Sequence, residues 1–168
     1  MSGELNVNRP EWDNELGDAP FRLRAMRIGR RAGARELGAT LYEVEPGGAI
    51  SPYHAHHGNE ELLLVLAGTP RLRTPEGVRE LEPGSVVAFP RGPAGAHRVS
   101  NPAHAAEPAR IVILSTMHFP DVAEHLDTGT VLAVSAPREG RAFPASSGIA
   151  AMDAVERAMR AAADREPD

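Results

Sequence analysis

Short apolar runs, separated by glycine and proline, occupy most of the chain between residues 21 and 134. The runs are four to eight residues long and rich in Val, Ile, Leu and Thr, which is typical of β-strands. The predicted strands cover residues 21–28, 38–44, 50–56, 61–66, 71–74, 78–81, 85–89, 97–101, 110–117 and 130–134. About ten short strands with a turn every eight to twelve residues indicate an all-β sandwich or barrel.

The N-terminal region has a charge pattern instead of an apolar one. Residues 1–20 contain five acidic side chains, one arginine and two prolines without periodicity, and this predicts an arm. Residues 21–35 contain six arginines and no acid. We interpret this basic strip mainly as a solvated strand face and loop, because surface ion pairs contribute little to stability. The alternative is that the acidic arm pairs with the basic strip, within one protomer or between two.

The C-terminal region changes to the period of a helix. After the candidate N-caps Ser146 and Ser147, one stripe carries Ile149, Met152, Val155, Met159 and Ala162. We expect an amphipathic helix that packs on the barrel or on a partner. The predicted organisation is an N-terminal arm at residues 1–20, a barrel at 21–135 and a C-terminal extension with the helix at 136–168.

Composition narrows the chemistry that the protein can perform. A chain of 168 residues corresponds to one domain. All 18 basic residues are arginine and cysteine is absent, which excludes lysine Schiff bases, thiol nucleophiles, disulfides and thiolate metal sites. The net charge of −5 argues against a nucleic-acid partner. The longest apolar run is too short for a membrane span and the first residues do not resemble a signal peptide, so we predict a cytoplasmic protein without a membrane partner.

Histidines concentrate in one predicted strand and the turn after it. Side chains alternate along a strand, so His54 and His56 point the same way with Cα atoms about 6.7 Å apart. Two imidazoles at that spacing can hold one metal ion. Gly58 favours a turn, after which the next strand returns with Glu60 or Glu61 opposite the pair. Both faces of that strand are apolar beyond the acids, so periodicity alone leaves the choice between the two glutamates open.

The spacing of these residues resembles the first sequence motif of the cupin superfamily. The matching positions are Gly48, His54, His56, Glu61 and Gly68. A second stretch resembles the second cupin motif, at Gly84, Pro90, Gly92, His97 and Asn101. The resemblance selects Glu61 over Glu60 and implies a double-stranded β-helix, the jelly-roll barrel of small single-domain bacterial cupins. The metal ligands that it implies are His54, His56, Glu61 and His97.

One departure from the second motif concerns the loop before His97. Four residues separate Gly92 from His97, where the motif has two. Because the loop is rich in proline and glycine, we expect it to bulge outward and to leave His97 in register with Asn101.

The other histidines are not assigned to the site. His104 and His125 lie beside prolines or acids and are expected to be solvated loop residues. His118 follows an apolar strand, where a structural role is commoner than a role in a pocket. The role of His57 is open.

A site of three imidazoles and one carboxylate suits one divalent first-row ion, and Fe, Mn, Ni, Co and Zn are all candidates. Such a site leaves two positions of an octahedral ion for a substrate or O2. The resemblance therefore implies a metalloenzyme that acts on a small oxygen-rich molecule, as a dioxygenase or as a Lewis-acid isomerase, decarboxylase or lyase. No catalytic residue is assigned. The competing interpretation is a cupin that binds or senses a small ligand without turnover, whereas a storage protein is disfavoured by the length of the chain.

A homodimer is expected from the strand at residues 61–66. If Leu63 and Val65 line the barrel, then Leu62, Leu64 and Leu66 lie on its outer face and need cover. Burial of three leucines is worth roughly 5–8 kcal/mol in transfer terms. The candidate covers are the N-terminal strand, the C-terminal helix, or the same surfaces of a second copy related by a two-fold axis.

Overall fold

The computed structural model describes residues 4–137 and 139–163, and most of its regular structure is β-strand. The strands are β1 Asn14–Leu16, β2 Leu23–Met26, β3 Gly38–Val44, β4 His54–His56, β5 Glu61–Ala67, β6 Arg71–Thr74, β7 Gly77–Glu80, β8 Val86–Phe89, β9 Arg98–Ser100, β10 Ala109–Ser115, β11 Asp121–His125, β12 Thr130–Ala136 and β13 Glu139–Pro144. The helices are α1 Ile28–Ala32 and α2 Ala151–Ala163, and 3-10 turns lie at Pro93–Gly95 and Ala145–Ser147.

The strands form antiparallel sheets around one apolar core. The largest sheet has the order β1-β2-β3-β10-β5-β8, and the smaller sheets have the orders β13-β12-β11-β4 and β7-β6-β9. β10 lies between β3 and β5, so distant parts of the chain become neighbours, as in jelly-roll folds. The core between the sheets includes Leu63, Val65, Leu72, Phe89 and Ile111. The expected all-β double-stranded β-helix with a C-terminal helix is confirmed.

The sequence pattern did not predict four of the observed elements, which are the strands β1, β11 and β13 and the helix α1. The predicted strand at 21–28 ends at Met26, and the chain turns into α1. Gly29 permits the close approach of this helix to β3, because a Cβ there would lie 2.8 Å from the backbone nitrogen of Ala39. The predicted strand at 50–56 is reduced to β4, because residues 50–53 form bends. β11 was hard to recognise because one of its buried positions is an acid, Asp121.

The N-terminal arm is tied to the basic strip within the same chain. β1 pairs with β2 at the edge of the largest sheet. The Asp13 carboxylate accepts a hydrogen bond from the backbone N–H of Arg27 (2.7 Å) and forms an ion pair with Arg31 (2.7 Å). Glu11 pairs with the same Arg31 guanidinium at 3.2 Å. The interpretation of the strip as merely solvated is therefore wrong for Arg31, and the pairing alternative describes it.

The arm also covers part of the outer face of β5. Leu64 and Leu66 pack against the same small apolar cluster as Val7 and Trp12. Leu62 remains 38% exposed. The N-terminal arm of the same chain thus supplies part of the cover for which a second copy was one of three candidates, and the homodimer stays a prediction.

The C-terminal extension contains a hairpin and the expected helix. β13 pairs with β12, and α2 follows the 3-10 turn that contains Ser146 and Ser147. The helix begins at Ala151, so these serines do not cap it. Its stripe is exposed at Ile149, Met152, Val155 and Met159, and packing on the barrel is not observed there. The side chain of Ala162 and residues 164–168, the end of the predicted extension, lie outside the described part of the structure. None of the described helices is long and apolar enough to cross a membrane.

Candidate metal centre

Two short strands and the turn between them bring two histidines and a glutamate together. His54 and His56 are the first and last residues of β4, so the alternation of the strand directs both toward the barrel interior. Glu61 is the first residue of β5, which follows the turn at Gly58. One ligand atom from each of His54, His56 and Glu61 lies within 4.8 Å of the other two. The alternation predicted for the histidine pair is observed.

His97 reaches the same place from the backbone segment that pairs directly with His54. Its backbone and that of His54 exchange two hydrogen bonds, of 3.1 and 2.8 Å. The His97 ring is 4.5 Å from the His54 ring, and its Nε2 lies 3.3 Å from Oε2 of Glu61. The His97 side chain is 3% exposed and stacks on Phe89 at a centroid distance of 3.7 Å. The structure therefore brings all four candidate ligands into one cluster.

The loop before His97 accommodates its two extra residues as a tight turn. Pro93–Gly95 forms a 3-10 turn whose first two residues are exposed, so the loop bulges outward as expected. The carbonyl oxygen of Gly95 accepts a hydrogen bond from Nδ1 of His97 at 3.0 Å. Only glycine fits at position 95, because a Cβ would lie 1.7 Å from the carbonyl oxygen of Pro90. The departure from the motif thus supplies a group that orients His97.

All three imidazoles have Nδ1 occupied by an acceptor. Nδ1 of His54 lies 3.0 Å from the carbonyl oxygen of Pro52, and Nδ1 of His56 lies 2.6 Å from Oδ2 of Asp121. With the Gly95 carbonyl on His97, each ring must carry its proton on Nδ1 to donate these bonds. In the neutral ring Nε2 then holds the free lone pair, which is the arrangement typical of metal-binding histidines.

Asp121 is a site residue that sequence reasoning did not identify. It opens β11 and is buried, and its second oxygen accepts a hydrogen bond from the backbone N–H of Gly58 at 2.8 Å. Burial alone would raise the pKa of Asp121, but the side chains of Asn59 and His56 and the N–H of Gly58 outweigh burial and lower it. The ionised carboxylate therefore holds the ring of His56 in place. No local pattern marks this residue, because it lies 65 positions from His56 in the chain.

The electrostatics of the cluster favour a neutral His54 ring beside an ionised Glu61. Burial, followed by the nearby His97 and His56, lowers the pKa of His54 to about 4. Burial acts to raise the pKa of Glu61, but the hydrogen bond with His97 and the charges of the three histidines lower it. Three imidazoles with free Nε2 atoms and one ionised carboxylate form a donor set that fits a divalent first-row ion. The chemistry of the residues thus fits the implied metal.

Cavities connect this cluster to the surface. An inner cavity of about 200 Å³ is lined by the four candidate ligands together with apolar side chains and Tyr42. A neighbouring cavity of about 240 Å³, the mouth, also contains His56, Glu61 and Tyr42 in its walls. The Tyr42 phenol is protonated at neutral pH, and burial raises its pKa further, so the group can donate a hydrogen bond into the cavity. Tyr42 is a second residue that sequence reasoning missed.

The remaining histidines lie outside the cluster. His57 is hydrogen-bonded to Glu124 at 3.1 Å on the surface, and His104 is exposed. His118 is exposed, with Nδ1 2.8 Å from the guanidinium of Arg91. The expectation that His125 is a solvated loop residue is wrong. This residue ends β11, pairs with His54 across the strands and is partly buried.

Comparison with known families bears out the resemblance seen in the two motifs. The family model of the cupin domain matches residues 40–115, which include most of β3, all of β4 to β10 and all four candidate ligands. The chain contains a cupin domain. No curated protein matches the chain.

Solved structures share the fold of this cupin domain and of its flanking segments. A proposed sugar phosphate isomerase from Acidithiobacillus ferrooxidans is 23% identical over 85% of this chain and 90% of its own, with a TM-score of 0.74. A cupin-superfamily sugar phosphate isomerase from Silicibacter pomeroyi is 22% identical over 90% and 98% of the two chains, with a TM-score of 0.71. A polyketide cyclase from Streptomyces resistomycificus is 22% identical over 68% and 79%, with a TM-score of 0.53. At these identities the likeness establishes the fold.

Proposed function

We propose that this cupin domain holds one divalent transition-metal ion between His54, His56, Glu61 and His97. The observation that carries the proposal is the environment of Glu61. Among the described residues, its ion-pair partners are the Nε2 atoms of His56 and His97, at 4.0 and 3.3 Å. Because Nδ1 of each ring already donates elsewhere, lone pairs converge on an ionised carboxylate. That arrangement needs a cation at its centre, either a proton or a metal ion.

The proposed activity is Lewis-acid or oxygen chemistry on a small, oxygen-rich substrate. A bound divalent ion would polarise a substrate carbonyl, carboxylate or hydroxyl group. Tyr42, whose phenol is protonated at neutral pH, would donate a hydrogen bond to a substrate oxygen in the inner cavity. Asp121 would hold His56 in its tautomer, and Ile50, Val99 and Ile113 would limit the access of water. Candidate reactions are isomerisation, decarboxylation, lyase chemistry and dioxygenation. The names of the structural neighbours make isomerisation the first to assay.

The metal content of protein purified without an affinity tag tests the proposal. We expect about one divalent ion per chain, either as purified or after separate incubation with Fe, Mn, Co, Ni or Zn. The double variant His54→Ala/His56→Ala should lose this ion. The matched control is His104→Ala/His118→Ala, which removes two exposed histidines outside the cluster and should keep the ion. Protein that binds none of the five metals, or a double variant that binds as well as the control, would contradict the proposal.

An assay of turnover then distinguishes a metalloenzyme from a cupin that binds a small ligand without turnover. Metal-loaded protein should convert a member of a panel of hydroxycarbonyl compounds, and chelation should abolish the conversion. Saturable binding of such compounds without turnover would instead favour the ligand-binding cupin.

A further inference from the structure

A groove of about 510 Å³ lies outside the mouth of the metal-site cavity and is lined by three arginines. Arg27, Arg30 and Arg35 contribute to its walls together with Thr40 and Met117. Within the described part of the chain, no acidic side chain lines this groove. We call it the arginine groove. A cluster of three positive charges without a lining acid contrasts with the net charge of −5 of the whole chain.

Two of these arginines are free to bind a ligand. Arg31, in the same segment, is occupied by Glu11 and Asp13. Arg30 and Arg35, by contrast, are exposed and form no ion pair with any residue that the structure describes. A guanidinium presents a planar set of donors that suits the oxygens of a phosphate or carboxylate. The groove thus offers unused anion-binding groups.

The arginine groove is continuous with the metal-site cavities. Thr40 and Met117 line both the groove and the mouth, and the mouth also contains His56 and Glu61. The strand register sets the distance, because Ser115 of β10 pairs with Gly38 on one side and with Glu61 on the other. Two strand spacings place Gly38, in the wall of the groove, about 10 Å from Glu61. A small molecule can therefore reach from one site to the other.

Met117 marks the junction between the groove and the mouth. Its backbone has a φ of +54°, which is uncommon for a residue with a side chain. Its side chain lies over Gly38, where a Cβ would be 2.6 Å from the Met117 sulfur. The missing side chain at Gly38 leaves room for the Met117 side chain, which lines the groove and the mouth where the two cavities adjoin.

We propose that the arginine groove binds the phosphate group of a small phosphorylated polyol or hydroxycarbonyl compound whose oxygen-bearing end lies at the metal centre. A phosphate monoester fits better than a carboxylate because it carries up to two negative charges and three acceptor oxygens for the three arginines. The assignment of the reacting end rests on the proposed function. The anion site itself does not, since its residues are separate from the four candidate ligands.

The test is titration calorimetry on chelator-treated protein with inorganic phosphate as the probe and acetate as the carboxylate comparator. We expect Arg30→Ala/Arg35→Ala to weaken phosphate binding about tenfold or more, because two charge-assisted interactions are lost. The control Arg79→Ala/Arg141→Ala removes two exposed arginines elsewhere and should bind phosphate like the original protein. Circular dichroism checks that each variant is folded.

The outcomes separate this inference from the proposed function. Equal phosphate affinity in the original protein and in Arg30→Ala/Arg35→Ala overturns the anion site, as does an equal loss in the control. Tighter binding of acetate than of phosphate overturns the phosphate assignment. The variant His54→Ala/His56→Ala should lose the metal and still bind phosphate. Failure of the metal analysis together with arginine-dependent phosphate binding would overturn the metal centre while leaving the groove intact.

Discussion

Two glutamates in the same sheet show two ways of placing a carboxylate in a barrel wall. Glu43 on β3 and Glu61 on β5 both lie on strands that flank β10. Glu43 is held between Arg24 of β2 and Arg110 of β10, its neighbours in the strand register. Glu61 faces imidazoles instead. One carboxylate therefore has permanent cations, whereas the other has partners whose charge depends on a proton or a metal ion.

The pKa of each carboxyl is lowered, but the cause differs. Burial would raise the pKa of Glu43, and hydrogen bonds from Arg110 and Arg24 outweigh it. Around Glu61 burial is opposed by His97, His56 and His54. Since arginine stays protonated at all ordinary pH values, the Glu43 cluster is a structural ion pair. The cation in the Glu61 cluster can be either a proton or a metal ion, so this cluster is suited to bind and release a metal.

The largest expected effect is that of Glu61→Gln on metal binding. Loss of the charged ligand should weaken binding of the preferred divalent ion by about 100-fold or more, beyond the typical effect of outer partners. The unfolding free energy of the metal-free protein should change little, because the carboxylate has no permanent cation to leave unpaired. Competition with a chelating dye measures the affinity. Unchanged affinity would remove Glu61 from the ligand set.

Glu43→Gln should have the opposite effects, which are a loss of folding stability and an unchanged metal affinity. It leaves Arg24 and Arg110 without their carboxylate, which costs about 2 kcal/mol once the partial exposure of both arginines is taken into account. Metal affinity should not change. Urea unfolding of metal-free protein measures the loss, and Glu82→Gln, at an exposed position, is the control. A loss of metal in Glu43→Gln would show that the two clusters are coupled.

Asp121→Asn tests whether Asp121 supports the metal site, and its expected effect on metal affinity is smaller than that of Glu61→Gln. The amide can no longer hold the Nδ1 proton of His56 with a charged oxygen, so metal affinity should fall about tenfold. The fold should persist, since the side chain is nearly isosteric. Asp127→Asn, which alters a surface ion pair with Arg73, is the matched control. Equal affinities in the two variants would contradict the orienting role of Asp121.

The smallest expected effect is the change in stability of the metal-free protein with pH. The pKa of His54 is about 4 in the folded metal-free chain and near 6.5 in the unfolded one, so only the unfolded chain takes up a proton between these values. Stability therefore falls as pH decreases, by about 1 kcal/mol from pH 6.5 to 5.5. The Glu43 cluster adds nothing in this window, because its carboxyl pKa lies below 4.5. Urea unfolding at both pH values measures the change, which His54→Ala should lose and His104→Ala should keep.

The sequence alone determined the class of the fold and the core of the candidate site. Short apolar runs between glycines and prolines indicated the barrel, and strand alternation paired His54 with His56. These signals are local, because a strand has a period of two residues wherever it lies. The choice of Glu61 and the inclusion of His97 needed the resemblance to the cupin motifs, since both faces of β5 are apolar.

Only the tertiary structure decided what surrounds those ligands. Asp121 orients His56 across 65 positions of the chain, and the arginine groove combines residues 27–40 with Met117. These contacts form because β10 and β11 return beside strands from the first half of the chain. Periodicity describes which way a side chain points within its own strand. It carries no information about which distant strand lies opposite. The contact of Asp121 with His56 and the proposed anion site both depend on such pairing of distant segments.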